Sequence, residues 1–305
     1  MPDPTAFDDR SLRYLPFNGG QFRLAMGLMP LAAAQWIEID GRLAADLAGK
    51  RALLETRHAE VFAALAAADA PAAELLRLLG EHLPRHHADV FRRDGKHLHN
   101  AAAGETWDIE HPRLHPLDVA GRLVQEDLCL LQSTGGPYRL IAASLCAPAR
   151  WRLADKIGQP LTAVHEPVPG YAAALAQPVD RFFAALKAGR IVWRLNWSVF
   201  DDPAPFQPLA LPSAGTVTAE NAGERLWLRV ERQTLSRLPE TGAVVFTIRT
   251  HITALASAIA APVSAAELAS LIRAMPDEMR RYKVIAPIAS ALLAWLDARA
   301  SARPA

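Results

Sequence analysis

Residues Leu128–Leu145 read LCLLQSTGGPYRLIAASL. Two apolar runs, Leu128–Leu131 and Tyr138–Leu145, flank Ser133-Thr134-Gly135-Gly136-Pro137, which predicts two strands joined by a tight glycine turn. Downstream, Trp151 to Leu186 reads as helical or irregular, and three more strand-like runs follow at Ile191–Val199, Leu226–Leu235 and Ala243–Ile252. The connection from Asp202 to Gly223, rich in Pro and Gly, reads as a mobile loop. Upstream, His115-Pro116-Leu117-Asp118 opens a helix through Ala120–Val124. The first hundred residues predict helices: Trp36, Ile37, Leu43, Leu47, Leu53 and Leu54 recur at helical intervals, and Ala-rich segments continue through Val61–Leu65 and Ala72–Leu83. Asp40-Gly41 and Ala70-Pro71 interrupt this pattern and Pro84 ends it. Ser264–Met275 and Ile285–Trp295 are again helical in pattern.

Two strands, a helical insert, then three strands have few compact solutions. The expected fold is α+β: a five-stranded antiparallel sheet with short helices over one face, flanked by N- and C-terminal helices. This is the element order of a PAS domain, whose sheet holds ligands, haem or flavin among them, beneath the covering helices. The expected boundaries are a mainly helical region over 1–116, a PAS-like core over 117–258 and a helical segment over 259–305, packed as one unit.

Composition narrows the function. The chain has 305 residues, about half of them hydrophobic, so it can bury a substantial core. A net charge of +1, with arginines alternating with acids, argues against nucleic acid. The sequence shows neither an apolar run of spanning length nor a signal peptide, and a soluble cytoplasmic protein is expected. Two cysteines, Cys129 and Cys146, cannot supply the four thiolates of an iron–sulfur cluster. With no Walker loop or GxGxxG after a strand, a redox role would take its electrons from another chain or a diffusible donor. Ser144 lacks a GxSxG elbow and HExxH is absent, so serine and zinc hydrolysis find no support.

The residues that carry chemistry are few. In KIGQPLTAVHEPVPGY, Lys156–Tyr171, His165 stands in apolar surroundings before a rigid turn on Pro167 and Pro169. Such an imidazole is either an axial ligand to haem iron or a packed ring with one nitrogen on a backbone carbonyl. His82, His86 and His87 fall at helical spacing, as a metal patch or as a solvated polar face. Glu126-Asp127 is a cation site or a cap on nearby backbone.

Alternation then gives the three late strands a polar row each: Arg194, Asn196 and Ser198; Arg229, Glu231 and Gln233; Thr247, Arg249 and His251. Pattern alone favours a solvated outer face laced with ion pairs. The alternative is a ligand cavity in which propionates would pair the arginines and a cationic amine would pair Glu231.

Five pieces in order resemble the haem-dependent oxidative N-demethylase alpha-subunit family: MGLMPL at Met26–Leu31, RLVQEDLCLLQ at Arg122–Gln132, the His165 stretch, RLNW at Arg194–Trp197, and RVERQTLSRLPETGAVVFTIRT at Arg229–Thr250. The resemblance runs from about Pro16 to Leu296; the acidic start and the Asp202–Gly223 connection fall outside the pattern.

The resemblance implies a haem-binding PAS-like monooxygenase subunit that uses O₂ to demethylate a small secondary amine such as dimethylamine, releasing formaldehyde. It implies haem b, with His165 as the iron ligand and Arg232 and Lys156 as further cofactor contacts. Arg194, Asn196, Glu231 and Arg249 would serve the propionate, oxygen and amine site. It also implies electrons from NADPH through separate FMN and 2Fe–2S subunits, tetrahydrofolate on a partner subunit, and a homo- or hetero-oligomer. The competing classes are a haem-PAS gas or redox sensor and a haem-free small-molecule-binding protein.

Overall fold

The computed structural model describes residues 14–209 and 216–302. The five expected long strands are present and the α+β class holds, but Val61–Leu65, expected to be helical, carries a short strand, and Pro71 lies inside a helix instead of interrupting one. In chain order the first elements are β1 (Met29–Leu31), α1 (Leu43–Thr56), α2 (His58–Val61), β2 (Phe62–Ala64) and α3 (Asp69–His86). Next come β3 (Phe91–Asp94), β4 (His97–Asn100), β5 (Glu105–Asp108), α4 (Pro116–Leu123), β6 (Asp127–Gln132) and β7 (Arg139–Ser144). The insert holds α5 (Leu161–Val164), α6 (Tyr171–Ala174) and α7 (Ala176–Ala185). After it follow β8 (Ile191–Phe200), α8 (Ala222–Arg225), β9 (Trp227–Arg237), β10 (Val244–Ala254) and α9 (Leu255–Ala258). The chain closes with α10 (Pro262–Ala274), α11 (Asp277–Tyr282) and α12 (Ala289–Ala300).

The central sheet has seven strands, not five, in the order β1-β8-β9-β10-β6-β7-β2. The five expected strands are consecutive within it, and each edge gains a three-residue strand from the first hundred residues. A separate sheet, β3-β4-β5, also falls inside the stretch expected to be helical. Its first turn uses Gly95 at φ +56°, a conformation costly for any residue with a Cβ. Pro84 does not end its helix. It sits in the last turn of α3, which closes at His86 with the His87 amide on Leu83 oxygen at 2.8 Å. The described part of the Asp202–Gly223 connection is anchored: the Gln207 side chain donates to the carbonyls of Asp202 and Ala204 at 2.8 and 2.7 Å. Residues 210–215 of that connection lie outside the described residues.

Pairing assigns the polar rows to faces. Asn196 stands opposite Glu231, and Glu231 opposite Thr250, so these share one face. Leu195 stands opposite Arg232, and Arg232 opposite Arg249, so these share the other. The first face carries Cys129, Val244 and Ile248 against Leu153, Leu161 and Phe183 of the insert. The second is covered twice. Leu130 and Val245 pack with Leu75, Leu79 and Leu83 of α3, and Leu228 and Val230 pack with Leu268, Ile272 and Leu292 of the C-terminal helices. Each such leucine contributes about 1.5–3 kcal/mol by leaving water.

The solvated outer face expected for the polar rows is therefore absent from β9, where Arg229 and Arg232 are 1% and 2% exposed. Helices cover both sides because β9 and β10 lie in the middle of a wide sheet.

Candidate functional site

Under the insert, the chain from Leu161 makes one helical turn that ends at His165. The ring Nδ1–H donates to the Leu161 carbonyl at 2.9 Å, and the ring lies flat on Tyr171, with centroids 4.6 Å apart and planes 12° off parallel. Burial lowers the His165 pKa; the carbonyl bond opposes this, while Lys156 and Arg194 push it further down. Burial thus favours the neutral imidazole, with the proton on Nδ1 and the Nε2 lone pair left to accept a hydrogen bond or bind a metal. Lys156 reaches back to the Val164 carbonyl at 2.7 Å and clips the same turn.

Across from the insert, β8 and β9 supply a polar group of their own. Asn196 Nδ2 and Gln233 Nε2 donate to Glu231 Oε2 at 3.2 and 3.0 Å, and Arg229 Nε lies 3.5 Å from Glu231 Oε1. Arg194 Nε is buried with no hydrogen-bond partner. Burial lowers the Arg194 pKa, and Glu231 opposes that shift. A further contributor, which sequence pattern gave no reason to single out, is Lys283 at the end of α11. Its Nζ donates to Asn196 Oδ1 at 3.3 Å and to the Trp197 carbonyl at 2.6 Å.

The structure thus brings His165, Lys156, Arg194, Asn196 and Glu231 to one face, and does not bring Arg232 and Arg249 with them. Arg232 donates to the carbonyls of Gln35 and Trp36 and faces Glu38 at 3.6 Å. Arg249 is clamped by Asp40 and Asp46 at 2.8 and 3.2 Å. Strand alternation compels the split, because 231 and 232 are neighbours in sequence and must point apart.

A cavity of about 630 Å³ opens on the Arg249 side, lined by Asp40, Asp46, Gln125, Arg249, His251 and Phe206 among others; none of the five gathered residues lines it. Its acids already pair with Arg249, and each side holds one buried guanidinium Nε without a partner, Arg249 there and Arg194 on the insert side. What sets the insert side apart is the His165 ring, whose Nδ1 is committed and whose Nε2 keeps its lone pair. The insert side is therefore the better candidate for cofactor chemistry.

The remaining sequence candidates resolve differently. Asp127 accepts the backbone N–H groups of Cys146 and Ala147, both at 2.8 Å, and Glu126 accepts that of Glu38 at 2.8 Å, so these acids cap backbone. His82 packs edge-on to Trp36, with His86 at 4.6 Å between ring centroids. Among the described residues no group of three His, Cys, Asp or Glu side chains is arranged to hold a metal ion. Both cysteines are buried and unpaired, and burial raises both thiol pKa values, Cys146 to about 12. No described helix is long and apolar enough to cross a membrane.

Fold and site together define an α+β protein whose sheet and helical insert enclose a neutral histidine beside a carboxylate–amide–lysine row. The family model for haem-dependent oxidative N-demethylase, alpha subunit-like, matches residues 27–293, and the chain belongs to that family. The family description carries haem dependence and the status of one subunit among others.

Proposed function

We propose that the insert side of the sheet is a haem site and that the protein oxidatively demethylates a small secondary amine of the dimethylamine kind. The observation that carries this reading is the His165 ring, its neutral form favoured by burial, locked through Nδ1 and stacked on Tyr171, with the Nε2 lone pair left to bind a metal. The residues present fit a haem. His165 would hold its iron, and Arg194 and Lys156 are the cations on that face that would meet its propionates. Support for a PAS-like core over 117–258 comes from the inner strand order, which by position in the core runs third, fourth, fifth, first, second.

When bound, haem supplies the activation of O₂. The chain's own residues do the rest. Glu231 accepts an N–H of the amine while Asn196 and Gln233 hold its carboxylate in place. The apolar insert excludes water, which strengthens each of these contacts. In balance, the N-methyl carbon gains a hydroxyl, its C–N bond then breaks to give formaldehyde and the smaller amine, and the second oxygen atom leaves as water. Two electrons and two protons enter from outside the chain. Partner subunits carrying FMN and a 2Fe–2S centre would relay the electrons from NADPH, and a folate-bearing partner would take the formaldehyde; the alpha-subunit description of the family supports such partners.

The test is spectroscopic and then chemical. Haem-loaded protein should show a Soret band that His165→Ala abolishes, and dimethylamine with O₂ and a reductant should release formaldehyde. A Soret band unchanged in His165→Ala overturns the ligand, and a loaded sample that oxidises no secondary amine overturns the reaction.

A further inference from the structure

The polar row contains a cation of its own. α11 ends at Lys283, whose amide bonds Met279 oxygen at 2.9 Å, and the next residue, Val284, has φ +55°. A β-branched residue in the left-handed region is strained, and such strain is kept where the surrounding structure demands it. Here it turns the chain so that the Lys283 ammonium is buried over the Trp197 ring, 5.3 Å from its centroid, with part of the stem at the surface. The charged groups facing it are Glu231 from β9 and Arg194 from β8. Its link to Glu231 runs through Asn196, whose Oδ1 accepts an N–H of the lysine while Nδ2 donates to the carboxylate.

We propose that Lys283 is a second counter-cation of Glu231, linked through Asn196 beside the directly paired Arg229, and that an ammonium ligand entering the row displaces its proton. The proposal rests on the amine reading of this site. Arg229 already pairs with Glu231, so a further ammonium beside the same buried carboxylate adds uncompensated charge, and of the cations in the row lysine, unlike arginine, can give up a proton. Lysine can do so at little structural cost, because a neutral Nζ keeps two N–H bonds, enough for both Asn196 Oδ1 and the Trp197 carbonyl. The N–H bond breaks, its electron pair stays on Nζ, and the proton passes to the buffer. Burial already brings this pKa down to about 8, with Glu231 opposing and Arg194 reinforcing the shift, so the proton is close to exchangeable at neutral pH. Lys283 is thus a positioning residue with a titratable role.

The experiment uses the full chain and dimethylammonium chloride. Calorimetry in buffers of different ionisation enthalpy should show close to one proton released per amine bound at neutral pH, with the count falling toward zero above about 8. Lys283→Met should bind the amine without proton release. Binding with no release in the wild type, or equal release in Lys283→Met, overturns the proposal.

NMR titration of labelled lysine supplies a second measurement. The Lys283 midpoint should fall in Glu231→Gln, and fall again in the wild type when amine is added. An unmoved midpoint in Glu231→Gln overturns the pairing. A midpoint that responds to Glu231→Gln but ignores added amine overturns the amine reading while the Lys283–Glu231 coupling stands.

Discussion

Arg232 and Arg249 stand directly opposite each other on β9 and β10, two guanidinium groups on one buried face. Like charges in that register repel, and the sheet tolerates them because the 38–46 segment brings an acid to each. Glu38 serves Arg232, while Asp40 and Asp46 serve Arg249. Replacing Asp40 with Asn should cost about 1.5–3 kcal/mol, the worth of a hydrogen bond to a charged group, with Asp46 limiting the loss. Urea unfolding would show a lower midpoint at unchanged slope. The Soret band should be unaffected, since this network lies on the face away from His165.

Two separate acid transitions follow from the ionisable groups. Burial pushes the His82 pKa down to about 4 from 6.5, so the fold favours the neutral ring. Its contribution is complete above 6.5 and is lost as pH falls from there toward 4. For Glu38, burial alone would raise the pKa, but His251, Tyr14 and Arg232 overcome it and bring it to about 2 from 4.5. That stability is present above 4.5 and disappears as pH falls toward 2. His82→Gln should reduce the loss in the upper window, to which His87 and His165 also contribute because burial lowers their pKa values, and leave the lower one intact, as read by denaturation at stepped pH.

Tyr171 stacks on the His165 ring. An aromatic pair is worth about 0.5–1.5 kcal/mol beyond its area, so Tyr171→Ala should weaken haem retention up to about tenfold. Tyr171→Phe keeps the ring and should retain near-wild-type affinity. Competition with apomyoglobin for haem would measure both.

Gly121 lies in α4, where alanine would normally add about 1 kcal/mol of helix stability. A Cβ there would lie 2.1 Å from Ser144 Oγ and 2.8 Å from Ser144 Cβ. Overpacking of this kind costs about 1–3 kcal/mol, so the clash wins and Gly121→Ala should lower the melting temperature. Ser144 Oγ is buried without a partner, so Ser144→Ala alone should be neutral or stabilising and leave turnover unchanged.

What the sequence made legible depended on pattern strength. The five long strands and the insert were readable because apolar runs and the Ser133–Pro137 turn are unambiguous locally. The sheet β3-β4-β5 was not, because segments such as Phe91-Arg92-Arg93-Asp94 and His97-Leu98-His99-Asn100 carry one apolar residue each. The Asp94-Gly95 pair was the available signal. Alternation sorted the polar rows by strand correctly, but it could not say that Glu231 and Arg249 face opposite ways, since that depends on register between strands. Lys283 belongs to no periodic pattern, and only the packing of α11 against β8 brings it to Asn196.

The seven-stranded sheet finishes at each side in three residues, Met29–Leu31 and Phe62–Ala64, both taken from the first hundred positions. Such brief borders offer an approaching chain only a few open amides and carbonyls. β1 covers only Ile191–Trp193 of the ten-residue β8, and beyond it the Trp197 carbonyl is taken by the Lys283 ammonium. The N-terminal segment therefore shortens the open border of β8 rather than closing it, and the Lys283 side chain blocks one further carbonyl.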